Sequence, residues 1–156
     1  MSKCYNVIYI KTLERLRQYT KLLYNDSLWN DKTGTHLIGF DAEFICKKNH
    51  PNSLYPNWVR YNGTNECVCL IQIATKNNVF LIHLSLMGKN LITSFPKILK
   101  KILTSDKWVK VGVGISLDLD KIYSNYLLNS YIQDNNQFIT IQREPSCSGV
   151  IELRSI

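Results

Sequence analysis

No stretch of this sequence is both long and apolar enough to cross a bilayer as a helix, which takes about 20 residues. The opening MSKCYNVIYIKTLERL is not expected to be a secretory signal, because Lys11, Glu14 and Arg15 break its apolar run. The expectation is a soluble intracellular protein, of cytoplasm or nucleus, with no membrane partner. Internal repeats and low-complexity tracts are absent too. Cysteine is sparse and odd in number, five in all, without a regular framework, which excludes a disulfide scaffold. Cys67 and Cys69 fall one residue apart in the apolar run ECVCLIQIAT, where alternation places both on one strand face as small hydrophobes. No second Cys/His pair at ligand spacing accompanies them, as zinc would require. Asn62-Gly63-Thr64 matches a glycosylation sequon, but in an intracellular chain it reads as a turn.

Acidic residues are in the minority, 12 against 19 Lys and Arg, for a net charge of +7. That balance suits a polyanionic partner, nucleic acid first. The abundance of Lys, Asn and Ile has a second origin in an AT-rich coding sequence, so charge alone does not decide the partner. At 156 residues the chain forms one domain, 1–156, with a sizeable core.

The hydrophobic pattern yields an ordered set of elements. CYNVIYI (4–10) has strand composition, and KTLERLRQYTKLLYN (11–25) places Leu13, Leu16, Tyr19, Leu22 and Leu23 at helical spacing. DSLWNDKTGT is polar and turn-rich. LIGFDAEF (37–44), CVCLIQIAT (67–75) and NVFLIHL (78–84) read as an antiparallel meander, interrupted by an excursion at 45–66 that contains Pro51, Pro56 and Gly63. TSFPKILKKILTS (93–105) has helix grammar, with Ser94 as N-cap, Pro96 in the first turn and an apolar face of Ile98, Leu99 and Ile102. KWVKVGVGI (107–115) is a strand that turns through Gly112 and Gly114 into the helix SLDLDKIYSNYLLNSY (116–131). SGVIEL (148–153) closes with a short strand. The order predicts a mixed α/β fold with a βα crossover after the antiparallel group.

Within LIGFDAEFIC, Asp41 and Glu43 share one strand face with Gly39, while Ile38, Phe40, Ala42 and Phe44 share the other. Two carboxylates side by side on a rigid strand repel each other, and a hard divalent cation reverses that cost. A strand end where both acids reach water is the alternative. Asp118, after KVGVGISL, is a third carboxylate at the start of a helix, where it also complements the helix dipole. Asp120 has only that second role.

LIGFDAEF, VCLIQIAT, VFLIHLS and FPKILKKILTSDKWVKVGVGISLDLDKI, taken in this order over 37–122, resemble the DEDD superfamily of 3′–5′ exonucleases. The likeness is to the ribonuclease D-like group that includes the exonuclease domain of the Werner syndrome helicase. It implies a ribonuclease H-like fold: a mixed sheet whose first three strands are antiparallel, flanked by helices. It further implies Mg²⁺ or Mn²⁺ at a two-metal site. Asp41 would bridge both ions, Glu43 would bind one, and Asp118 would hold the second, for phosphodiester hydrolysis from a 3′ end of DNA or RNA.

One family motif is missing. A Tyr-x-x-x-Asp or His-x-x-x-Asp on a later helix supplies a fourth acid, and no such spacing follows Asp118; Tyr131 and Asp134 are three apart and precede the last strand. The expectation is therefore a domain truncated at its C-terminus. It is either a nuclease, with a second chain supplying the missing helices, or an inactive or split domain that binds nucleic acid. An uncovered sheet face would expose apolar residues, with the N-terminal helix covering part of it. Lys47, Lys48, His50, Trp58 and Arg60, interleaving charge and aromatics just after the acids, would contact a single strand. His83 belongs to sheet packing. Lys97, Lys100, Lys101, Lys107 and Lys110 read as a solvated basic stretch.

Overall fold

The computed structural model describes residues 4–46, 66–88, 91, 95–127 and 149–153. In chain order these form β1 (Asn6–Ile10), α1 (Leu13–Asp26), β2 (Leu28–Asn30), β3 (Thr35–Cys46), β4 (Glu66–Ala74), β5 (Asn78–His83) and a 3₁₀ turn (Leu84–Leu86). α2 (Lys97–Thr104), β6 (Trp108–Gly112), α3 (Ile115–Ile122) and β7 (Val150–Glu152) follow, α3 running on into a π-helical turn (Tyr123–Leu127). The sheet order is β1-β5-β4-β3-β6-β7, with β2 paired to the start of β3. β3, β4 and β5 form the expected antiparallel meander. β1 joins β5 in parallel, and β6 and β7 extend the other side in parallel. The mixed sheet with its helices is the ribonuclease H-like arrangement anticipated from the sequence.

Several local expectations change. The turn-rich DSLWNDKTGT contains β2, because Leu28 to Asn30 pair with Thr35 to Leu37 across a tight loop. Pro96 is the N-cap of α2 rather than part of its first turn; Ser94 lies outside the described residues. The third helix gives way to the π turn at Tyr123, so the helix read over 116–131 is shorter in its regular part. At Glu43/Phe44 the β3–β4 register shifts by one, leaving Cys69 as the extra residue. This bulge breaks the alternation expected of the two cysteines: Cys67 and Val68 are both buried, while Cys69 is half-buried. The side chains of the π turn close the backbone there, Asn125 Oδ1 accepting from Val68 N–H at 3.1 Å and the Tyr126 hydroxyl donating to the Val68 carbonyl.

The core lies on one face of the sheet. Ile38, Phe40, Ala42, Ile71, Ile73, Phe80, Ile82 and Trp108 share it, and the buried residues of α1, α2 and α3 join the same cluster. α1 contributes Leu16 and Leu23, with Leu22 exposed; α2 contributes Leu99, Ile102 and Leu103. The opposite register (Val7 and Tyr9, Val79 and Leu81, Leu70 and Gln72, Val111, Ile151) is half-buried to exposed, with Val7 at 65%. α1 therefore does not cover that face, contrary to the sequence expectation. His83, on this open face, bonds to the Tyr9 hydroxyl through Nδ1 at 2.5 Å, a role within the sheet as expected.

Two polar contacts tie helices to the sheet. Lys110 is not solvated, as its place in a basic stretch suggested, but fully buried. Its register opposite Ile38 turns it into the core, where Nζ donates to the carbonyls of Ile102 (2.9 Å), Leu103 (3.3 Å) and Ser105 (3.4 Å). The ammonium thus caps the C-terminal end of α2, where carbonyls lack helical partners and the dipole favours a cation. At the end of α1, Asp26 accepts from Thr75 Oγ1 (2.6 Å), Asn77 N–H (2.9 Å) and the side-chain amides of Asn77 (2.7 Å) and Asn78 (2.6 Å). Desolvation raises its pKa, but these hydrogen bonds together outweigh it and hold the carboxyl down at about 2.

Lys110→Met should lower the unfolding free energy by about 2–4 kcal/mol in urea denaturation, because three carbonyls lose a buried charged donor. Asp26→Asn should lower stability at pH 7. A carboxyl with a depressed native pKa stabilises above its unfolded value, and that contribution is lost as pH falls through about 2. The gap between wild type and Asp26→Asn should therefore close in acid, as read from melting temperatures across the pH range.

Candidate active site

β3 carries two of the three acids. Its alternation turns Ile38, Phe40 and Ala42 into the core and leaves Asp41 and Glu43 exposed on the open face. The space beside them at Gly39 is taken by the neighbouring strand: a Cβ on Gly39 would lie 3.1 Å from that of Ala74. Gln72, opposite Asp41 in the β3–β4 register, donates through Nε2 to Asp41 Oδ2 at 3.1 Å and to Glu43 Oε1 at 3.2 Å. The bulge begins immediately after Glu43.

The third acid arrives by a different route. β6 pairs with β3 only from His36 to Gly39, so the edge of β3 beside Ala42 has no strand partner on that side. β6 ends at Gly112, where a Cβ would come within 2.3 Å of the Phe40 carbonyl; only glycine permits this approach. Gly114, at φ +67°, then supplies the left-handed residue that starts α3. The first turn of α3 delivers Asp118, only 9% exposed, and the Ala42 N–H donates to its carboxylate. Burial raises the Asp118 pKa most, and the nearby charge of Asp41 raises it further, with Glu152 adding to the effect; the Ala42 amide and Lys121 oppose them, and the carboxyl settles at about 6.

Charged neighbours complete the rim. Lys121, one turn on from Asp118, pairs with Glu66 at 2.6 Å and sits 4.1 Å from the Phe44 ring centroid. Glu152, at the end of β7, accepts from Ile115 N–H (3.3 Å), Ser116 N–H (2.8 Å) and Ser116 Oγ (2.8 Å), capping the N-terminus of α3. Its pKa is lowered, first by the Ser116 amide.

The donor set consists of carboxylates, hard oxygen ligands that suit Mg²⁺ or Mn²⁺ rather than zinc. Among the described residues, no group of three or more His, Cys, Asp or Glu is drawn together closely enough to hold a metal ion. The chemistry of the residues fits a hard cation, while the three acids stand around the site without closing on it.

Asp41, Glu43 and Asp118 are thus brought to one region. Lys47, Lys48, His50, Trp58 and Arg60 fall within 47–65, and Tyr131 and Asp134 within 128–148, all outside the described residues. Gln72 and Glu152 were not singled out from the sequence. Gln72 stands in the quoted LIQIAT strand, but only the strand register shows which acids it faces.

The fold is a mixed α/β domain with the ribonuclease H-like arrangement of strands and helices. Crystal structures of the EXD2 exonuclease domain are among its structural neighbours. The Mg-soaked form superposes with a TM-score of 0.59 at 19% identity, over 94% of this chain and 56% of that one. A form soaked in Mg and GMP gives 0.58 at 21% identity, over 94% and 55%. The form described without a soak gives 0.58 at 20%, over 94% and 56%. The chain therefore spans just over half the length of the domains it matches. No protein-family model matches the sequence, and no curated protein matches it.

Asp118→Asn should stabilise the metal-free protein at pH 7.5, by on the order of 1–2 kcal/mol in urea denaturation. A carboxyl whose pKa rises on folding binds its proton more tightly in the native state, so its contribution to stability falls as pH climbs from about 4 through about 6. The advantage of the variant should vanish near pH 4.

Proposed function

We propose that this chain is a 3′–5′ exonuclease-like domain that hydrolyses phosphodiester bonds at the end of a nucleic-acid strand, with Mg²⁺ or Mn²⁺ held by Asp41, Glu43 and Asp118. The observation that carries the reading is the meeting of two exposed acids on β3 with a third, nearly buried acid hydrogen-bonded to the Ala42 amide between them. The fold supports it: the neighbouring EXD2 exonuclease domain was crystallised with Mg, Mn, GMP and dGMP soaks. The net charge of +7 suits a polyanionic substrate.

In this reading Asp41 and Glu43 offer ligand oxygens from a rigid strand, and Asp118 offers one from a helix start fixed by Gly112, Gly114 and Glu152. Bound divalent ions would supply the attacking hydroxide and stabilise the leaving 3′ oxygen. Burial and the charge of Asp41 raise the Asp118 pKa to about 6, so a bound cation would compete with a proton for this carboxylate. Lys47, Lys48, Trp58 and Arg60, which follow β3 in the chain, would hold the single strand by phosphate contacts and stacking.

A second reading is a split or inactive domain that binds nucleic acid without turnover, with a second chain completing the site in the split case. It is favoured by the open arrangement of the three acids among the described residues.

Incubating the 156-residue chain with a 5′-labelled single strand and Mn²⁺ separates the two. The expected result is a ladder shortened from the 3′ end, with Asp41→Ala lowering the rate by roughly 10³-fold or more. A folded chain that retains the strand in a shift assay yet makes no ladder would establish the binding module and sink the stand-alone enzyme.

A further inference from the structure

We propose that Gln72 is a positioning residue that presets Asp41 and Glu43 for a cation; the proposal deepens the metal-dependent reading above and rests on it. The two carboxylates stand on one face of β3, two residues apart, and share a single donor nitrogen on the neighbouring strand, at 3.1 and 3.2 Å. The two accepting oxygens are therefore no more than about 6 Å apart. With acceptors on both sides, the amide must turn its NH₂ toward the acids, because its carbonyl oxygen would be repelled by each. The NH₂ has two hydrogens in a fixed plane, one for each carboxylate.

The residue type matters as much as the position. An apolar side chain opposite Asp41 would leave the repulsion between the acids uncompensated and their rotamers free. A lysine would neutralise one acid and compete with a metal ion for both. Glutamine orients both carboxylates while adding no charge, so their full negative charge remains for a cation. The bonds also occupy one oxygen of each acid, Oδ2 of Asp41 and Oε1 of Glu43, and leave Oδ1 and Oε2 as the oxygens that Gln72 does not hold. The backbone enforces the arrangement. Asp41 and Gln72 are register partners, and Glu43 is the diagonal neighbour within reach of a long side chain. The bulge follows Glu43, so the pairing that sets these distances is regular from Gly39 to Glu43.

Gln72→Leu, with Gln72→Met as the unbranched counterpart, removes the donors at similar volume. Mn²⁺ affinity is measured by electron paramagnetic resonance of the free ion, with circular dichroism to show an intact fold. Affinity should fall by about 10–100-fold, the range for loss of an outer partner of a metal ligand. Affinity within twofold of wild type in both variants would overturn the proposal. A second measurement needs no metal: the side-chain amide signals of Gln72, identified by their loss in Gln72→Leu, should shift in both Asp41→Asn and Glu43→Gln. Signals that move in neither variant would show that the amide does not bridge the acids and would equally overturn it. If wild type binds no Mn²⁺, the metal-dependent reading fails, and the positioning of the acids for a cation fails with it; the amide signals then show separately whether Gln72 bridges them.

Discussion

The pleat of β3 is the constraint on which the rest depends. One strand must seal a hydrophobic core and present acids to solvent, and the two-residue period allows both without burying a charge. Ile38, Phe40 and Ala42 take the inner positions; Asp41 and Glu43 take the outer ones. A slip of one residue would put both carboxylates into the core and the apolar side chains into water. The long pairing of β3 with β4 and the shorter one with β6 hold the register against that slip.

The same strand explains how a third acid reaches the site. Because β6 stops at Gly39 in the β3 register, the Ala42 amide is left for a side chain rather than a strand. Gly112 and Gly114 let the chain leave β6 within van der Waals reach of β3 and start a helix at once. Asp118 then satisfies the free amide and at the same time meets the field of Asp41. Burial and like charge raise its pKa together. Glu152 contributes from β7 by capping the helix that carries Asp118, so an edge strand far along the sequence helps to place it.

The two faces of the sheet have unequal fates. The described helices α1, α2 and α3 bury their apolar residues on one side, and Lys110 crosses from β6 to cap α2 there. The opposite face bears Asp41, Glu43, Gln72, the Tyr9–His83 pair and half-buried aliphatics. Hydrophobic patterning alone could not distinguish this arrangement from a sheet covered on both sides, because VFLIHL and CVCLIQIAT are apolar at almost every position. No described helix is long and apolar enough to cross a membrane.

The shared outer face of Asp41 and Glu43 and the placement of Asp118 in the first turn of a helix were legible in the sequence, because alternation and the Gly-rich strand-to-helix turn are local properties that adjacent residues encode. The meander was legible for the same reason, as was the apolar face of α2. Lys110, Gln72, Glu152 and β2 were not. Lys110 sits in a lysine-rich stretch and looks solvated until the parallel pairing with β3 turns it inward. Gln72 looks like any polar residue in a strand until register sets it against two acids. β2 lies in a polar segment that becomes a strand only because β3 offers it an edge. Short-range periodicity determined which side chains share a face. What each face meets is a property of pairing between segments distant in the chain, and the identity of those partners is settled only when the sheet assembles.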